Sequence, residues 1–487
     1  MDKKTFFIST AIDYPSEKPH LGHALEKIQV DVLARYKRSQ GFDVHFSTGT
    51  DERGQKIQRY AKRANKSPQK FVDEISKYFI DLCKALNISN NDFIRTTEKR
   101  HIKVVQEIIK KIYKKGDIYK GEYKGLYCVD CETFYLPKDL VNNKCPVHRK
   151  ALETIEEETY FFKMSKYQKQ LLEYIQKNRN FIIPESRRNE ILNRLKEPLQ
   201  DLSISRKTVE WGIPLPFDKE LNLFVWVDAL INYLTTIDYP NDKFKKFWPA
   251  DVHCIGKDII WHHSVIWGSL LLSLDLPLPK KIFVHGFITV DGQKMSKSLG
   301  NVIDPFELVE KYGTDAVRYF LLREIPSAED GDFTYEKFEQ RYNSDLASGL
   351  GNLVSRLETM AEKIEGTKFK KDEGEDIQKY PHIKKANEKW EKSLKEFKFN
   401  EALKSIWDLI SFCDKQIEKE RPWEEKENSA EVLRLLLGTL FRVAYNLQPF
   451  LPETSKEILS RIKIKESSDK KSFEFKIKKG KPLFPRI

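Results

Sequence analysis

Three short groups of residues in this sequence are suited to chemistry. Pro19-His20-Leu21-Gly22-His23 sets two imidazoles three residues apart around a glycine, where an apolar run gives way to an amphipathic stretch. Glycine lets backbone approach a ligand closely, and a helix start favours an anion. Imidazoles so placed can donate hydrogen bonds to phosphate oxygens as charge develops in a transition state. Taken alone, the tetrapeptide also fits a helix-capping turn with two incidental histidines. The second group, Lys294-Met295-Ser296-Lys297-Ser298, lies between Asp291-Gly292-Gln293 and Leu299-Gly300-Asn301. Its lysines make a cationic loop that can close over a triphosphate and neutralise a leaving pyrophosphate. A solvated lysine loop is the plainer reading of the two lysines alone. The third group is Cys128-x2-Cys131, thirteen residues, then Cys145-x2-His148. Two such pairs supply four ligands for one tetrahedral Zn2+, closed and therefore structural.

Elements must position these groups. Phe6–Ser9 reads as a strand, His23–Arg38 as a helix with Leu25, Ile28, Val32 and Leu33 apolar, Asp43–Ser47 as a second strand and Gln55–Ala64 as another helix. This alternation predicts an α/β fold, a doubly wound parallel sheet with right-handed crossovers. Ligands of such sheets bind beyond the carboxyl ends of the strands, so Thr10–Gly22 and Gly49–Gly54 are the loops of interest. Between about Gly121 and Lys150 the density of Tyr, Gly and Cys marks a small inserted unit. Strand-like sequence returns at Ser203–Trp211, Leu223–Val227, His253–Ile255 and Ile282–Val284, where the sheet resumes. Beyond about Ser344 the pattern is helical to the end, with Leu346, Leu350, Leu353, Val354 and Leu357 on one face. Lys363–Lys379 reads as an exposed connection.

The 487 residues suggest about three domains of ~150 residues each, and 40% hydrophobic content rules out a disordered chain. There are 85 basic and 73 acidic side chains, a net charge of +12. That is compatible with a polyanionic partner, although the lysines are spread along the chain. The most apolar stretch, Ile259–Pro279, contains His262, His263 and Asp275 and does not suit a membrane span. The apolar start, Thr5–Thr10, is broken at once by Asp13 and Pro15, unlike a signal peptide. Six cysteines are too few for a disulfide framework, and three of them cluster within 18 residues. The expectation is a soluble, cytoplasmic protein in a reducing compartment.

His-x-Gly-His at the start of a parallel sheet, followed some 270 residues later by Lys-Met-Ser-Lys-Ser, resembles the paired signatures of class I aminoacyl-tRNA synthetases. Further stretches resemble the methionyl-tRNA synthetases over almost the whole chain. They are Ala11-Ile12-Asp13-Tyr14, Thr48-Gly49-Thr50-Asp51-Glu52-Arg53-Gly54, Val225-Trp226-Val227-Asp228-Ala229-Leu230-Ile231-Asn232-Tyr233, Ile255-Gly256-Lys257-Asp258-Ile259-Ile260, Leu350-Gly351-Asn352-Leu353-Val354-Ser355-Arg356 and Arg421-Pro422-Trp423.

The resemblance implies roles. Ile12, Tyr14, Trp226, Ala229, Tyr233, Ile259 and His263 would bind methionine, whose thioether offers only aromatic contact and weak hydrogen bonds to sulfur. His262 and His263 are adjacent, so on a helix only one can face the pocket, and the motif register favours His263. Asp51 would hold the α-ammonium. Gly22, Gly256 and Asp258 would frame adenosine. His20, His23, Lys294 and Lys297 would be catalytic, with Ser296 and Ser298 joining them on ATP and Mg2+ accompanying its phosphates. Asn352, Arg356, Pro422 and Trp423 would bind the anticodon. Trp423 suits stacking on an unpaired base, and it equally suits packing at a helix start. The implied activity is methionine–tRNA ligation, with ATP, L-methionine and both initiator and elongator tRNA(Met) as partners.

The implied domains are a Rossmann-like first half (1–115), a zinc-bearing insertion (116–200), the second half of the catalytic domain (201–290), a linking domain with the lysine loop (291–344) and an all-α anticodon-binding bundle (345–487). Residues 461–487 carry 10 basic and 3 acidic side chains. That tail either helps hold tRNA phosphates or is only a soluble terminus. The further C-terminal dimerising domain of many members is not in the sequence, so a monomer is expected. Departures from the family pattern are Leu21 for the usual isoleucine, His148 for a fourth cysteine, and Leu230 where proline is common. The rivals are a synthetase for another amino acid, a simpler HxGH nucleotidyltransferase, and a non-catalytic tRNA-binding paralogue, which would show decay of His20, His23, Lys294 or Lys297.

Overall fold

The computed structural model describes residues 3–487 apart from 131–132, 136–138, 148, 208, 296–299, 365, 371–379, 425–426, 467 and 469–471. It has two compact units. One comprises Met1–Pro19, Gln40–Lys84 and Ser89–His285, the other His20–Ser39, Ala85–Ile88 and Gly286–Ile487.

In the first unit the strands, in chain order, are β1 (Thr5–Thr10), β2 (Asp43–Thr50), β3 (Asp92–Arg95), β4 (Ile118–Cys128), β5 (Thr133–Tyr135), β6 (Glu153–Phe162), β7 (Ile182–Ile183), β8 (Leu202–Ser203), β9 (Ser205–Arg206), β10 (Asn222–Leu223), β11 (Val252–Gly256) and β12 (Ile282–His285). Six of them form a parallel sheet in the order β3-β2-β1-β11-β12-β7. Strand order reverses between β1 and β11, where a doubly wound sheet opens its crevice. The sheet is apolar on both faces, as a parallel sheet between helices must be: Phe7, Ile8, Phe46, Ile255, Ile282 and Val284 are all buried. A second, antiparallel sheet, β5-β4-β6-β8, forms the inserted unit, built on a long β4–β6 hairpin.

The sequence expectations need three adjustments in this unit. Ser203–Trp211 is not one strand but the short β8 and β9, in different sheets. The strand expected at Leu223–Val227 ends at Leu223, and Val225–Leu230 is a helix. Every residue of that helix except Trp226 is buried, which removes the periodicity that would distinguish helix from strand. β7 falls within 116–200 yet pairs with β12, so the chain visits the main sheet there before β8 returns to pair with β6 of the insertion.

The second unit begins with the helix Leu21–Ser39, where Gln29 donates to the carbonyl of Ser327, 298 residues away, at 3.4 Å. It continues with β13 (Ile288–Val290), β14 (Gln293–Lys294) and β15 (Gly331–Phe333), ordered β14-β13-β15. The helix Tyr335–Arg341 runs through a π-helical stretch, Tyr342–Gly351, into the helix Asn352–Ala361. A bundle follows from Pro381–Lys395, Phe399–Glu420, Ser429–Leu447 and Pro452–Arg461. The bundle is helical as expected, but not to the end. β16 (Phe369–Lys370), β17 (Ile462–Glu466) and β18 (Ser472–Ile477) form a small antiparallel sheet. No described helix is long and apolar enough to cross a membrane.

Candidate functional site

The carboxyl end of β1 is paired on both sides. The N–H of Ala11 donates to the Cys254 carbonyl at 3.0 Å, that of Asp13 to Gly49 at 2.8 Å and that of Asp51 to Asp13 at 2.7 Å. This ladder brings the backbone of Ile12 and Tyr14 beside that of Asp51, itself buried at the end of β2. Gly49 is required there, because a Cβ would fall 2.0 Å from the carbonyl oxygen of Ile94 on β3.

Around this end lies a polar network that the sequence reading did not assign. The Tyr14 hydroxyl donates to the Arg53 carbonyl at 2.8 Å, and Trp211 Nε1 donates to the Glu52 carbonyl at 2.6 Å. Glu52 is fully buried, and its carboxylate accepts from Thr50, Ser76, Arg95 and Thr97. Asp228 meets His101 Nε2 at 2.8 Å and Arg53 Nε at 3.7 Å. The helix carrying Trp226 and Ala229 is thereby tied to the loop carrying Asp51. The signal was present in Asp51-Glu52-Arg53-Gly54 and in His101, a lone polar residue on the apolar face of Lys99–Lys114.

Trp226 and Ala229 lie on the short helix Val225–Leu230, and Tyr233 on the next, Asn232–Thr235. The Tyr233 hydroxyl lies 2.7 Å from His263 Nε2, and His263 Nδ1 lies 3.0 Å from the Ile259 carbonyl. The carbonyl can only accept, so Nδ1 carries the proton and Nε2 accepts from the phenol. Burial lowers the His263 pKa to about 4, leaving a neutral wall that suits an uncharged ligand. His262 is engaged as well. Its ring stacks on Trp226 with centroids 3.7 Å apart. Both histidines thus face aromatic partners, because the chain is π-helical from His262 to Ile266. Trp226 Nε1 and His262 Nδ1 are buried and have no hydrogen-bond partner among the described residues. Gly256 closes β11, and Asp258 is exposed on the turn that follows.

In the second unit the two signatures adjoin. His20 and His23 lie with ring centroids 4.0 Å apart at the start of Leu21–Ser39. The His20 N–H donates to His23 Nδ1 at 3.0 Å, and the Gly22 N–H donates to His20 Nδ1 at 3.1 Å. Both Nδ1 atoms accept, so each neutral ring carries its proton on Nε2. Withdrawal from water, then repulsion from Lys27, lowers the His23 pKa to about 3. His20 is pushed down by burial, then by His23, Lys27 and Lys294. A Cβ on Gly22 would stand 2.9 Å from His20 Cε1 and 3.9 Å from Met295 Cε. The lysine loop leaves from the β13–β14 hairpin, whose turn residues Asp291 and Gly292 both have positive φ, the turn that matches strand twist. Lys294 is exposed; Ser296, Lys297 and Ser298 lie outside the described residues.

Farther along the second unit, Ser355, Arg356, Thr359, Met360 and Trp423 line an open cleft of about 410 Å³. Arg421, in the left-handed region at φ 45°, ends the helix Phe399–Glu420 and starts the turn Pro422–Glu424. Pro422 is buried beneath it while Trp423 is 41% exposed. Arg356 is held by Glu418 at 2.8 Å and Asp414 at 3.5 Å, and Asn352 is exposed one turn earlier.

In the insertion, Cys128 ends β4 and Cys145 follows the two-residue turn Asn142-Asn143; both thiols are buried. Asp130, between Cys128 and Cys131, and Lys150, just after Cys145 and His148, are joined at 2.7 Å. Cys131 and His148 lie outside the described residues, and among those described no three metal-ligating side chains cluster.

A parallel nucleotide-type sheet, paired histidines adjoining a lysine loop, and a helical bundle with an exposed tryptophan define a class I aminoacyl-tRNA synthetase. The family described as tRNA synthetases class I (M) matches residues 6–151 and 135–358, and the anticodon-binding domain of tRNA ligase matches 381–480. Methionine–tRNA ligase of Caldanaerobacter subterraneus subsp. tengcongensis is 46% identical over all of this chain, which spans 79% of its length. The enzyme of Thermotoga maritima is 43% identical over 99% of the chain and 80% of its own length. Mycobacterium tuberculosis methionyl-tRNA synthetase in complex with methionyl-adenylate superposes with a TM-score of 0.93 at 35% identity, covering 99% of this chain and 100% of that one. The chain belongs to the methionyl-tRNA synthetases, and its activity is methionine–tRNA ligation.

Proposed function

We propose that the described residues divide the two steps of the reaction as follows. Ile12, Tyr14, Trp226, Ala229, Tyr233, Ile259 and His263 take the methionine side chain, and Asp51 takes its α-ammonium by a charge-assisted hydrogen bond. The methionine carboxylate attacks the α-phosphate of ATP and pyrophosphate leaves. His20 and His23 donate Nε2–H to phosphate oxygens as negative charge grows, while Lys294 and Lys297, with Ser296 and Ser298, meet the departing pyrophosphate. Gly22, Gly256 and Asp258 frame adenosine, and Mg2+ arrives with ATP. The ribose of the terminal tRNA adenosine then attacks the adenylate carbonyl, giving the ester and AMP. No covalent enzyme intermediate is needed; positioning and charge stabilisation suffice.

The observation that carries this reading is the shared tautomer of His20 and His23. Two backbone N–H groups occupy both Nδ1 atoms, so both rings are preset as neutral Nε2 donors. Asn352, Arg356, Pro422 and Trp423 read the anticodon of initiator and elongator tRNA(Met), Trp423 by stacking on a base. Cys128, Cys131, Cys145 and His148 would hold one structural Zn2+. The thiolate and imidazole donor set, the two buried thiols and the Lys150–Asp130 link between the two ligand-bearing segments support that reading.

Amino-acid-dependent ATP–pyrophosphate exchange tests the assignment. Methionine alone among the amino acids should stimulate exchange. Asp51→Asn should raise the methionine KM, and Lys294→Met should lower kcat. Stimulation that survives both substitutions unchanged refutes the roles given to them.

A further inference from the structure

The last two strands carry a charge pattern that the reaction does not use. β17 and β18 pair with Lys463 opposite Lys476 and Lys465 opposite Glu474. Residues directly opposite share a face, as do residues two apart along a strand. Lys463, Lys465, Glu474, Lys476 and Lys478 therefore stand on one side of the sheet. Phe473 and Phe475 take the other side, in ring contact with Phe369 on β16.

All four lysines are exposed. Lys465 reaches Glu474 at 3.5 Å, but among the described residues Lys463, Lys476 and Lys478 have no carboxylate at ion-pair distance. Like charges directly opposite on an antiparallel pair are destabilising. Some bundle lysines are neutralised locally, as in Lys389–Glu401 and Lys398–Glu396, but none of these stands directly opposite another lysine in a strand pair as Lys463 does. The face is also firmly seated. Arg461, immediately before β17, is nearly buried and meets Glu358 at 3.3 Å and the Lys481 carbonyl at 2.8 Å. Lys479 pairs with Glu362 at 2.8 Å. Glu358 belongs to Asn352–Ala361, the helix that supplies Ser355, Arg356, Thr359 and Met360 to the Trp423 cleft. One helix therefore carries both the cleft and the root of the lysine face.

We propose that this face docks the phosphodiester backbone of the tRNA whose anticodon occupies the Trp423 cleft, a proposal that rests on the anticodon reading of that cleft. The face offers ammonium groups and no base-reading side chain, so its contribution is independent of sequence and falls with salt.

The test measures binding of tRNA(Met) to the whole protein between about 50 and 200 mM salt. The proteins are wild type, a variant with Lys463, Lys465, Lys476 and Lys478 all changed to Gln, the corresponding all-Arg variant, and Trp423→Ala. The Gln variant should bind about tenfold more weakly at low salt, with the slope of log K against log salt reduced by about 0.7–0.9 per lost contact. The all-Arg variant should restore both, and methionine-dependent ATP–pyrophosphate exchange should be unchanged in the two lysine variants. Trp423→Ala should weaken binding and keep the slope. A Gln variant with the wild-type slope, beside a weakened Trp423→Ala, overturns the proposal and leaves the cleft reading standing. Trp423→Ala that binds as tightly as wild type removes the cleft reading, and with it the choice of tRNA as occupant. A Gln variant that loses binding to phosphatidylserine vesicles but keeps wild-type tRNA binding assigns the face to a membrane and also overturns the proposal.

Discussion

Asp31 and Arg318 form an ion pair at 2.8 Å in which neither side chain has any exposure. The guanidinium also donates to the carbonyls of Phe450 at 2.7 Å, Leu86 at 3.0 Å and Pro449 at 3.0 Å. One side chain thus fastens the helix that begins at the paired histidines to the carbonyls just beyond the helix Ser429–Leu447. Removing Arg318 would take a buried cation from the Asp31 carboxylate and leave three carbonyls short of a donor. Arg318→Ala should destabilise the protein by about 3–5 kcal/mol, read as a lower urea midpoint. Arg318→Lys should recover part of that, because an ammonium keeps the charge but cannot serve the same fork of acceptors.

Gly22→Ala should separate catalysis from stability. The added methyl would press on the His20 ring at 2.9 Å and turn Nε2 away from the phosphates. Exchange activity should fall by about 10²–10³-fold, the loss typical of one charge-stabilising donor, with the melting temperature nearly unchanged. His23→Gln, which can present an N–H at similar reach, should retain more activity than His23→Ala.

Acid should weaken the fold before the carboxylates titrate. Burial lowers the pKa of His23 and His262 from 6.5 to about 3, and that of His45 and His263 to about 4. Between these values and 6.5 the unfolded chain binds protons that the native protein does not. Stability therefore falls as pH falls through that window, by about 1.4 kcal/mol per pH unit for each histidine within it. Urea midpoints at about pH 5.5 should lie clearly below those at about pH 7.5. Equal midpoints would mean that these rings are not held neutral.

Cys128→Ser should lower bound zinc and local stability more than it alters methionine activation. Metal content by atomic absorption, a melting curve and pyrophosphate exchange on one preparation decide the matter. A variant that keeps its zinc and its melting temperature would falsify the structural-zinc assignment.

The parts that were legible in the sequence were those with their own local signature. His20, Gly22 and His23 sit at the helix start where the motif placed them. The polar network behind them was not legible, because Glu52, Arg53, His101 and Asp228 meet across long stretches of chain and their partners leave no periodic trace. The π-helical stretch at His262–Ile266 has no periodic signal in the sequence that would announce it. β7 has only two residues, too few for any pattern. The closing sheet was available to a closer reading: Ile462-Lys463-Ile464-Lys465 and Phe473-Glu474-Phe475-Lys476 alternate with the period of a strand, but their charge drew attention before their rhythm.

The placement of the helix Leu21–Ser39 bears on how the protein is made. Gln29 bonds to a residue 298 positions later, and at about 5–20 residues per second of synthesis that partner follows roughly 15–60 s behind. Arg35 on the same helix meets Asn87 only 52 positions on, so the helix gains its partners in stages as synthesis proceeds. The segment bearing His20 and His23 is thus among the first translated, yet its hydrogen bonding is complete only once the chain beyond residue 327 has been made.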